Sequence, residues 1–182
     1  MSRGRLFLIR HGESMGNVWK SAYRADERNF LSPMGITQAE LCGKYFKHFE
    51  IDFTTLYSSN LLRARHTMVT ILHEIGWHRP WINLPGLNEI NATHDAAEML
   101  RVKNAFQSIW ETWTEGNLLV VSHYHTMQSI FDCMVELGVI ADRECIDSHQ
   151  GMTVNNGQPF VWNPEAPERL RLVDLYHRKD QF

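Results

Sequence analysis

Short apolar runs of strand length alternate with amphipathic stretches of helical length along most of this sequence. The apolar runs lie at residues 5–10, 52–58, 81–84, 117–121, 159–162 and 170–175. Apolar residues at helical spacing predict helices over residues 33–49, 61–75, 100–113 and 127–137. Because strands that alternate with helices build a mostly parallel sheet covered on both faces, we predict an α/β fold, a three-layer α/β/α sandwich.

The length, composition and charge of the chain limit the number of domains and the classes of partner that we expect. With 182 residues, of which 43% are apolar, the chain has material for about one sizeable core, so we predict one domain over residues 1–182. Two small cap segments are expected near residues 17–30 and 90–100. The formal net charge of −3 gives no general reason to expect a nucleic acid or an anionic membrane as partner.

The cysteines and the longest apolar segments indicate where in the cell the protein is expected. The three cysteines are odd in number and form no close pair, so we expect no disulfide framework. No segment approaches the roughly 20 apolar residues of a membrane span. We therefore expect a cytoplasmic protein. Whether the protein forms a homodimer is left open.

Polar residues follow four of the predicted strands at the point where each strand ends. They are Arg10-His11-Gly12-Glu13-Ser14, Ser58-Ser59-Asn60 with Arg63 close behind, Leu87-Asn88-Glu89, and Ser122-His123. Ligands of open α/β sheets bind beyond the carboxyl ends of the strands, so we expect these four groups to form one cluster. Two arginines in one cluster favour phosphate, because guanidinium groups make bidentate, charge-assisted hydrogen bonds to oxyanions.

The residue types in this cluster suit phosphoryl transfer. We expect His11 to attack phosphorus, because a neutral imidazole is a competent nucleophile and a neighbouring arginine disfavours its protonation. His123 and the two arginines would hold the phosphoryl oxygens. Glu89 would protonate the leaving oxygen, and we expect the arginines to lower its pKa in the empty site. The alternative proton donors are Glu13, Asp95 and Glu98.

Five segments in this order resemble motifs of the histidine phosphatase superfamily, also called phosphoglycerate mutase-like. They are LIRHGES with Asn17, LSPMGITQA, SNLLRARHT, LNE and VVSH. The resemblance to that family spans about residues 8–123 and implies a phosphoglycerate mutase-like fold. We expect no cofactor. It also implies that His11 is transiently phosphorylated, that Arg10, Arg63 and His123 bind the phosphoryl group with help from Asn17, and that Glu89 is the proton donor.

The chain departs from the family pattern in two places. Tyr124-His125 follow VVSH where the family usually has a glycine, so these two residues, with Ser14, are candidates for the pocket wall. Residues 23–28 stand where the family's mutases carry an FTGW-type segment, which disfavours phosphoglycerate mutase itself. We therefore expect a metal-independent phosphomonoesterase whose partner is a small phosphorylated metabolite.

Other interpretations of the same residues stay open. A phosphohistidine or phosphotyrosine protein phosphatase, a phosphotransfer mutase and an inactive phosphate-binding module are the alternative functions. His123 and His125 have the HxH spacing of some metal sites, but no third ligand has a readable spacing, so we expect no metal. Arg63 has a structural alternative as a helix cap or a salt-bridge partner.

Overall fold

The computed structural model describes residues 2–19, 26–90, 95–142, 146–147 and 155–176. The helices among these residues are α1 (Met15–Trp19), α2 (Pro33–His48), α3 (Leu62–Glu74), α4 (Ala96–Thr112) and α5 (Tyr124–Glu136). The strands are β1 (Arg3–Arg10), β2 (Thr55–Ser58), β3 (Ile82–Asn83), β4 (Gly116–Ser122), β5 (Ile146–Asp147), β6 (Pro159–Asn163) and β7 (Ala166–Leu172). Short 3-10 turns form at Asp26–Arg28 and Pro85–Leu87.

The strands form one seven-stranded sheet in the order β3-β2-β4-β1-β6-β7-β5. The pairs β1 with β4, β4 with β2, β2 with β3, and β5 with β7 are parallel. Strand β6 is antiparallel to both of its neighbours, β1 and β7. The predicted mostly parallel sheet is confirmed, and the antiparallel hairpin of β6 and β7 is its exception.

Strands β1 and β4 bury side chains on both faces of the sheet, which explains why their sequences are continuously apolar. Leu6, Leu8, Leu118 and Val120 belong to the core under α4 and α5, and Phe7, Ile9, Leu119 and Val121 to the core under α2 and α3. All eight side chains are fully buried. The predicted three layers are therefore confirmed.

Several element boundaries differ from the predictions for physical reasons. Helix α1 was not predicted, because none of its residues is buried and it therefore lacks the apolar periodicity that marks a helix. Helix α5 begins at Tyr124, three residues before its first apolar position. Strand β7 runs from Ala166 to Leu172, whereas the apolar run predicted a strand at residues 170–175. It begins earlier because its first residues pair with β6 across a tight turn.

The cap segments expected near residues 17–30 and 90–100 lie partly outside the described residues, which omit 20–25 and 91–94. Within the described part, residues 26–28 form the first 3-10 turn and residues 96–100 begin α4. None of the helices described in this structure is long and apolar enough to cross a membrane.

Candidate active site

The site forms where three neighbouring strands end. At the ends of β1 and β4, Arg10 pairs with Ser122, and the next residue, His11, donates its backbone N–H to the Ser122 carbonyl at 2.9 Å. The neighbouring β2 continues the pattern, because Ser59 donates its N–H to the Val121 carbonyl at 2.9 Å. These backbone hydrogen bonds bring the side chains that follow the three strands to one edge of the sheet, as predicted.

His11 is held as one neutral tautomer in the structure. Its Nδ1 lies 2.7 Å from the carbonyl oxygen of Gly12, which can only accept, so Nδ1 carries the hydrogen. Its Nε2 accepts a hydrogen bond from Arg63 Nε at 3.2 Å, so Nε2 carries the lone pair. Burial, with smaller contributions from Arg63 and Arg10, holds the pKa of His11 well below its ordinary value. The expected resistance of His11 to protonation is confirmed, with burial as its main cause.

Arg63 stands in the first turn of α3 and reaches into the same cluster. Its Nη2 lies 4.0 Å from Glu89 Oε2, and its Nη1 lies 3.7 Å from Asp26 Oδ1. The same Asp26 oxygen accepts the backbone N–H of Leu62 at 2.9 Å, so Asp26 caps α3 and holds its arginine at once. Sequence reasoning missed Asp26, because it lies in a polar stretch without periodicity.

His123 lies beside His11 and is fully buried. The two imidazole rings are 5.1 Å apart between centroids. His123 Nε2 lies 2.7 Å from Ser59 Oγ, and His123 Nδ1 lies 3.5 Å from Glu89 Oε2. Burial, followed by electrostatic interactions with His11, Arg63 and Arg10, holds the pKa of His123 well below its ordinary value.

Glu89 completes the cluster from the loop before α4. Its Oε1 accepts the backbone N–H of His125 at 3.1 Å, at the first turn of α5. Burial raises the pKa of Glu89, while Arg63, the backbone hydrogen bonds and Arg10 lower it by less. The expected net lowering by the arginines is therefore wrong, because the carboxyl group loses more solvation than the sequence indicates.

Two of the three alternative proton donors, Glu13 and Asp95, have contacts at helix ends in the structure. Glu13 Oε1 accepts a hydrogen bond from the hydroxyl of Ser32, the N-cap of α2, at 2.6 Å. Asp95 is itself the N-cap of α4 and accepts the N–H of Ala97 at 2.8 Å. Both carboxylates thus serve helix ends, whereas Glu89 lies among the histidines and arginines.

The loop that carries Glu89 is held by residues that sequence reasoning did not single out. Arg101 donates to the carbonyl oxygens of Pro85, Gly86 and Asn88 at 3.0, 2.8 and 3.1 Å. Ser122 Oγ donates to the Leu87 carbonyl at 2.9 Å, and Thr126 Oγ1 to that of Asn88 at the same distance. No sequence signal marks Arg101, because it is one charged residue among several on α4.

Arg10 and the candidate wall residues lie around this cluster. The Arg10 guanidinium carbon is 5.4 Å from the centre of the Tyr124 ring, a distance at which a cation–π contact forms. Burial lowers the pKa of Arg10, and Glu89 opposes this. His125 contributes its backbone N–H to Glu89, while its ring packs edge-on to Tyr124. Tyr124 therefore covers one face of an arginine in the cluster.

Asn17 and Ser14 contact each other more than the cluster. Asn17 is exposed on α1, and its Oδ1 accepts the Ser14 backbone N–H at 2.9 Å and the Ser14 hydroxyl at 3.0 Å. The first of these is one half of a capping box, in which the side chain at the third helical position accepts the backbone N–H of the N-cap residue. Ser14 is buried, so the pair ties α1 to the loop that carries His11.

Three groups of the cluster have the donor types of a metal site. The ligand atoms of His11, Glu89 and His123 lie within 4.8 Å of one another, a set that differs from the HxH pair considered from the sequence. The surroundings favour an anion over a cation, because the guanidinium group of Arg63 donates directly to His11 Nε2 and that of Arg10 lies nearby. The absence of a metal stays a prediction.

Comparison with known proteins agrees with this geometry. A chain from Bradyrhizobium sp. named 2,3-bisphosphoglycerate-dependent phosphoglycerate mutase is 34% identical over 76 residues, which are 42% of this chain and 36% of that relative. The protein thus matches about a third of the length of this curated relative.

Two solved structures share the fold. Phosphoglycerate mutase from Bacillus anthracis str. Sterne is 18% identical with a TM-score of 0.69, over 100% of this chain and 98% of that one. A candidate phosphohistidine phosphatase, SixA, from Agrobacterium tumefaciens is 17% identical with a TM-score of 0.65, over 96% and 97%. At these identities the two structures indicate the fold alone.

The family itself is identified by a sequence model. The model of the histidine phosphatase superfamily, branch 1, matches residues 6–100, which are more than half of the 182 residues. This protein therefore belongs to the histidine phosphatase superfamily, branch 1.

Proposed function

We propose that this protein is a metal-independent phosphomonoesterase that forms a phosphohistidine at His11. One observation carries the proposal: the lone pair of a buried, neutral His11 Nε2 faces Arg63 within a cluster that also holds His123 and Glu89. A neutral imidazole with a fixed tautomer is ready to attack phosphorus, and guanidinium groups suit the charge that develops on the phosphoryl oxygens.

In the first step, His11 Nε2 forms a bond to phosphorus while the bond from phosphorus to the leaving oxygen breaks. Without substrate, Arg63 Nε donates to His11 Nε2. When a phosphoryl group binds, one of its oxygens would accept the hydrogen bond from Arg63 in place of His11. Glu89 gives its proton to the leaving oxygen, so that the product is a neutral alcohol.

In the second step, water attacks phosphorus and the bond between phosphorus and His11 Nε2 breaks. Glu89, now a carboxylate, takes the proton of the attacking water, and inorganic phosphate leaves. Hydrogen bonds from the backbone N–H groups of His125 and Thr126 favour the charged form that Glu89 then has.

A small phosphorylated metabolite is the proposed substrate. His11 and His123 are 2% and 0% exposed, so a slender phosphomonoester reaches the nucleophile more readily than a folded protein surface does. Tyr124 over Arg10 adds an aromatic wall where the family usually has a glycine. Turnover of p-nitrophenyl phosphate without turnover of any metabolite in the panel below would favour a phosphoprotein substrate, and turnover of neither would favour a phosphate-binding role.

A phosphotransfer mutase is the second candidate, because the relative from Bradyrhizobium sp. bears that name. The two activities differ in the acceptor of the phosphoryl group, which is water for a phosphatase and a second hydroxyl of the substrate for a mutase. Quantifying released phosphate against isomerised phosphoglycerate separates them. Isomerisation without release of phosphate would replace the proposal.

The direct test is the variant His11→Ala. We expect it to lose turnover of p-nitrophenyl phosphate and of a panel of phosphorylated metabolites, while the wild type gives an acid-labile, base-stable phosphoenzyme on rapid quenching. His73→Ala is the matched control, because His73 is an exposed histidine on α3. Near-wild-type turnover by His11→Ala would refute the mechanism.

A further inference from the structure

Ser59 links His123 to Asn88 through one fully used hydroxyl group. Ser59 is fully buried, and its Oγ lies 2.7 Å from His123 Nε2, 2.9 Å from Asn88 Oδ1 and 3.1 Å from the backbone nitrogen of Leu61. A serine hydroxyl has one hydrogen to donate and two lone pairs to accept with. Three partners therefore use all of its capacity.

The direction of each of these hydrogen bonds follows from the partners. The backbone N–H of Leu61 can only donate. Asn88 Oδ1 also receives the backbone N–H of Asn60 at 3.2 Å, so this side-chain atom is the acceptor oxygen and takes the single hydrogen of Ser59. Only an acceptor site is left on Ser59 for His123, whose Nε2 must therefore carry a hydrogen.

The other ring nitrogen of His123 is then the one that is open to chemistry. Among the residues that the structure describes, buried His123 Nδ1 has no hydrogen-bond partner, although Glu89 Oε2 lies 3.5 Å away. A deprotonated Nδ1 and a carboxylate oxygen present only lone pairs to each other, so one proton added to the pair joins them. His11 has the opposite tautomer, with its hydrogen on Nδ1 facing Gly12.

We propose that Ser59 and Asn88 are positioning residues that hold His123 as the Nε2–H tautomer and so reserve its Nδ1 for a proton shared with Glu89. This proposal deepens the proposed phosphatase mechanism and rests on it, because the shared proton is the one that Glu89 gives to the leaving oxygen. The charged and titratable groups that face the pair are His11 beyond β1, Arg10 at its end, Arg63 on α3 and Arg101 on α4. Arg10, Arg63 and Arg101 are cations. They favour one proton on the pair of His123 and Glu89 over two, because a second proton would give the pair a positive charge.

The tautomer is measured directly by NMR of the substrate-free protein labelled with ¹⁵N-histidine, with the His123 signals assigned through the variant His123→Gln. We expect the hydrogen on Nε2 in the wild type and in Ser58→Ala. Ser58 is a matched control, because it is the adjacent buried serine and donates to Asn83 Oδ1 as Ser59 does to Asn88. A His123 with its hydrogen on Nδ1 and none on Nε2 in the wild type would overturn the proposal, even if Ser59→Ala does not fold.

The variant Ser59→Ala tests the positioning role. We expect a mixture of tautomers at His123 and a fall of about 10- to 100-fold in kcat for an alkyl phosphate with little change in KM, since a fully wrong tautomer costs about 10⁴-fold in a well-studied triad. Ser59→Thr keeps the hydroxyl and should restore both. An unchanged kcat, or a lower kcat with the tautomer unchanged, would each contradict the proposal. A wild type without phosphatase activity would instead refute the proposed function and leave the NMR result standing.

Discussion

The variant Glu89→Gln isolates the proton that Glu89 delivers. Glutamine keeps a side-chain oxygen for the His125 N–H, so the loop before α4 stays anchored while the ability to donate a proton as an acid is lost. General acid catalysis contributes about 10² to 10⁴-fold, which is about 2.7 to 5.4 kcal/mol of activation free energy. We expect a loss of kcat in that range for an alkyl phosphate, whose leaving oxygen is strongly basic.

The contrast between two substrates makes this prediction refutable. The phenolate of p-nitrophenyl phosphate leaves without a proton, so Glu89→Gln should slow the release of p-nitrophenolate in the first turnover by less than about 10-fold. The later attack of water, in which Glu89 acts as a base, is the same for both substrates, so the comparison is made on the first turnover. Glu111→Gln is the matched control, because it makes the same change at an exposed position of α4. Equal losses on both substrates in the first turnover would show that Glu89 shapes the site and does not act as an acid. No loss on either would return the role to Glu13, Asp95 or Glu98.

The pH dependence has a definite sign. Turnover needs a neutral His11 and a protonated Glu89, so it rises as pH passes the pKa of His11 and falls as pH passes that of Glu89. With the ordinary pKa values of 6.5 and 4.5, this form would be a small minority. Burial lowers the first and raises the second, so the active form becomes more abundant. This alkaline fall should appear with an alkyl phosphate, whose leaving oxygen needs the Glu89 proton, and should be absent for the first turnover of p-nitrophenyl phosphate and in Glu89→Gln, while the acid limb from His11 should remain in each case.

Three further predictions test the site by other measurements. Chelators such as EDTA should leave turnover unchanged, because the arginines balance the phosphoryl charge; a loss that Zn²⁺ restores would indicate a metallophosphatase. Tyr124→Gly should raise kcat/KM for bulkier phosphomonoesters relative to small ones by about 10-fold, the scale of pocket discrimination, and an unchanged ratio would place Tyr124 outside the substrate pocket. Because folding lowers the pKa values of His11 and His123, the unfolded chain binds more protons than the folded one at acidic pH. The stability of the wild type should therefore fall as pH drops below 6.5. Over the same pH range, the Tm of His123→Gln should fall less than the Tm of the wild type.

The sequence predicted the elements that are defined by continuous burial or by one apolar face. Strands β1 and β4 were predictable because both of their faces are buried, and their ends located His11 and His123. Helix α1 was not, since its contacts are polar and local. Periodicity carries no information about such contacts.

The contacts that tune the site depend on where loops come to lie in three dimensions. Asp26 reaches Arg63 across 37 positions of sequence, and Arg101 reaches back to hold the loop before Glu89. Neither has a motif or a periodic position that marks it. The pKa of Glu89 moved against the expected direction for the same reason, because burial of a loop residue is a property of the folded chain alone.

The central position of β1 and β4 has a consequence for local unfolding. These strands belong to both cores, so opening either one breaks the packing of two layers at once, and their amide hydrogens should exchange among the slowest in the protein. His11 and His123 follow directly after this most protected segment. Glu89 and Asp26 instead come from segments between the main helices and strands, whose opening we expect to need less free energy. The imidazoles thus stand on the rigid part of the molecule, while carboxylate groups around them can readjust within each catalytic cycle without unfolding it.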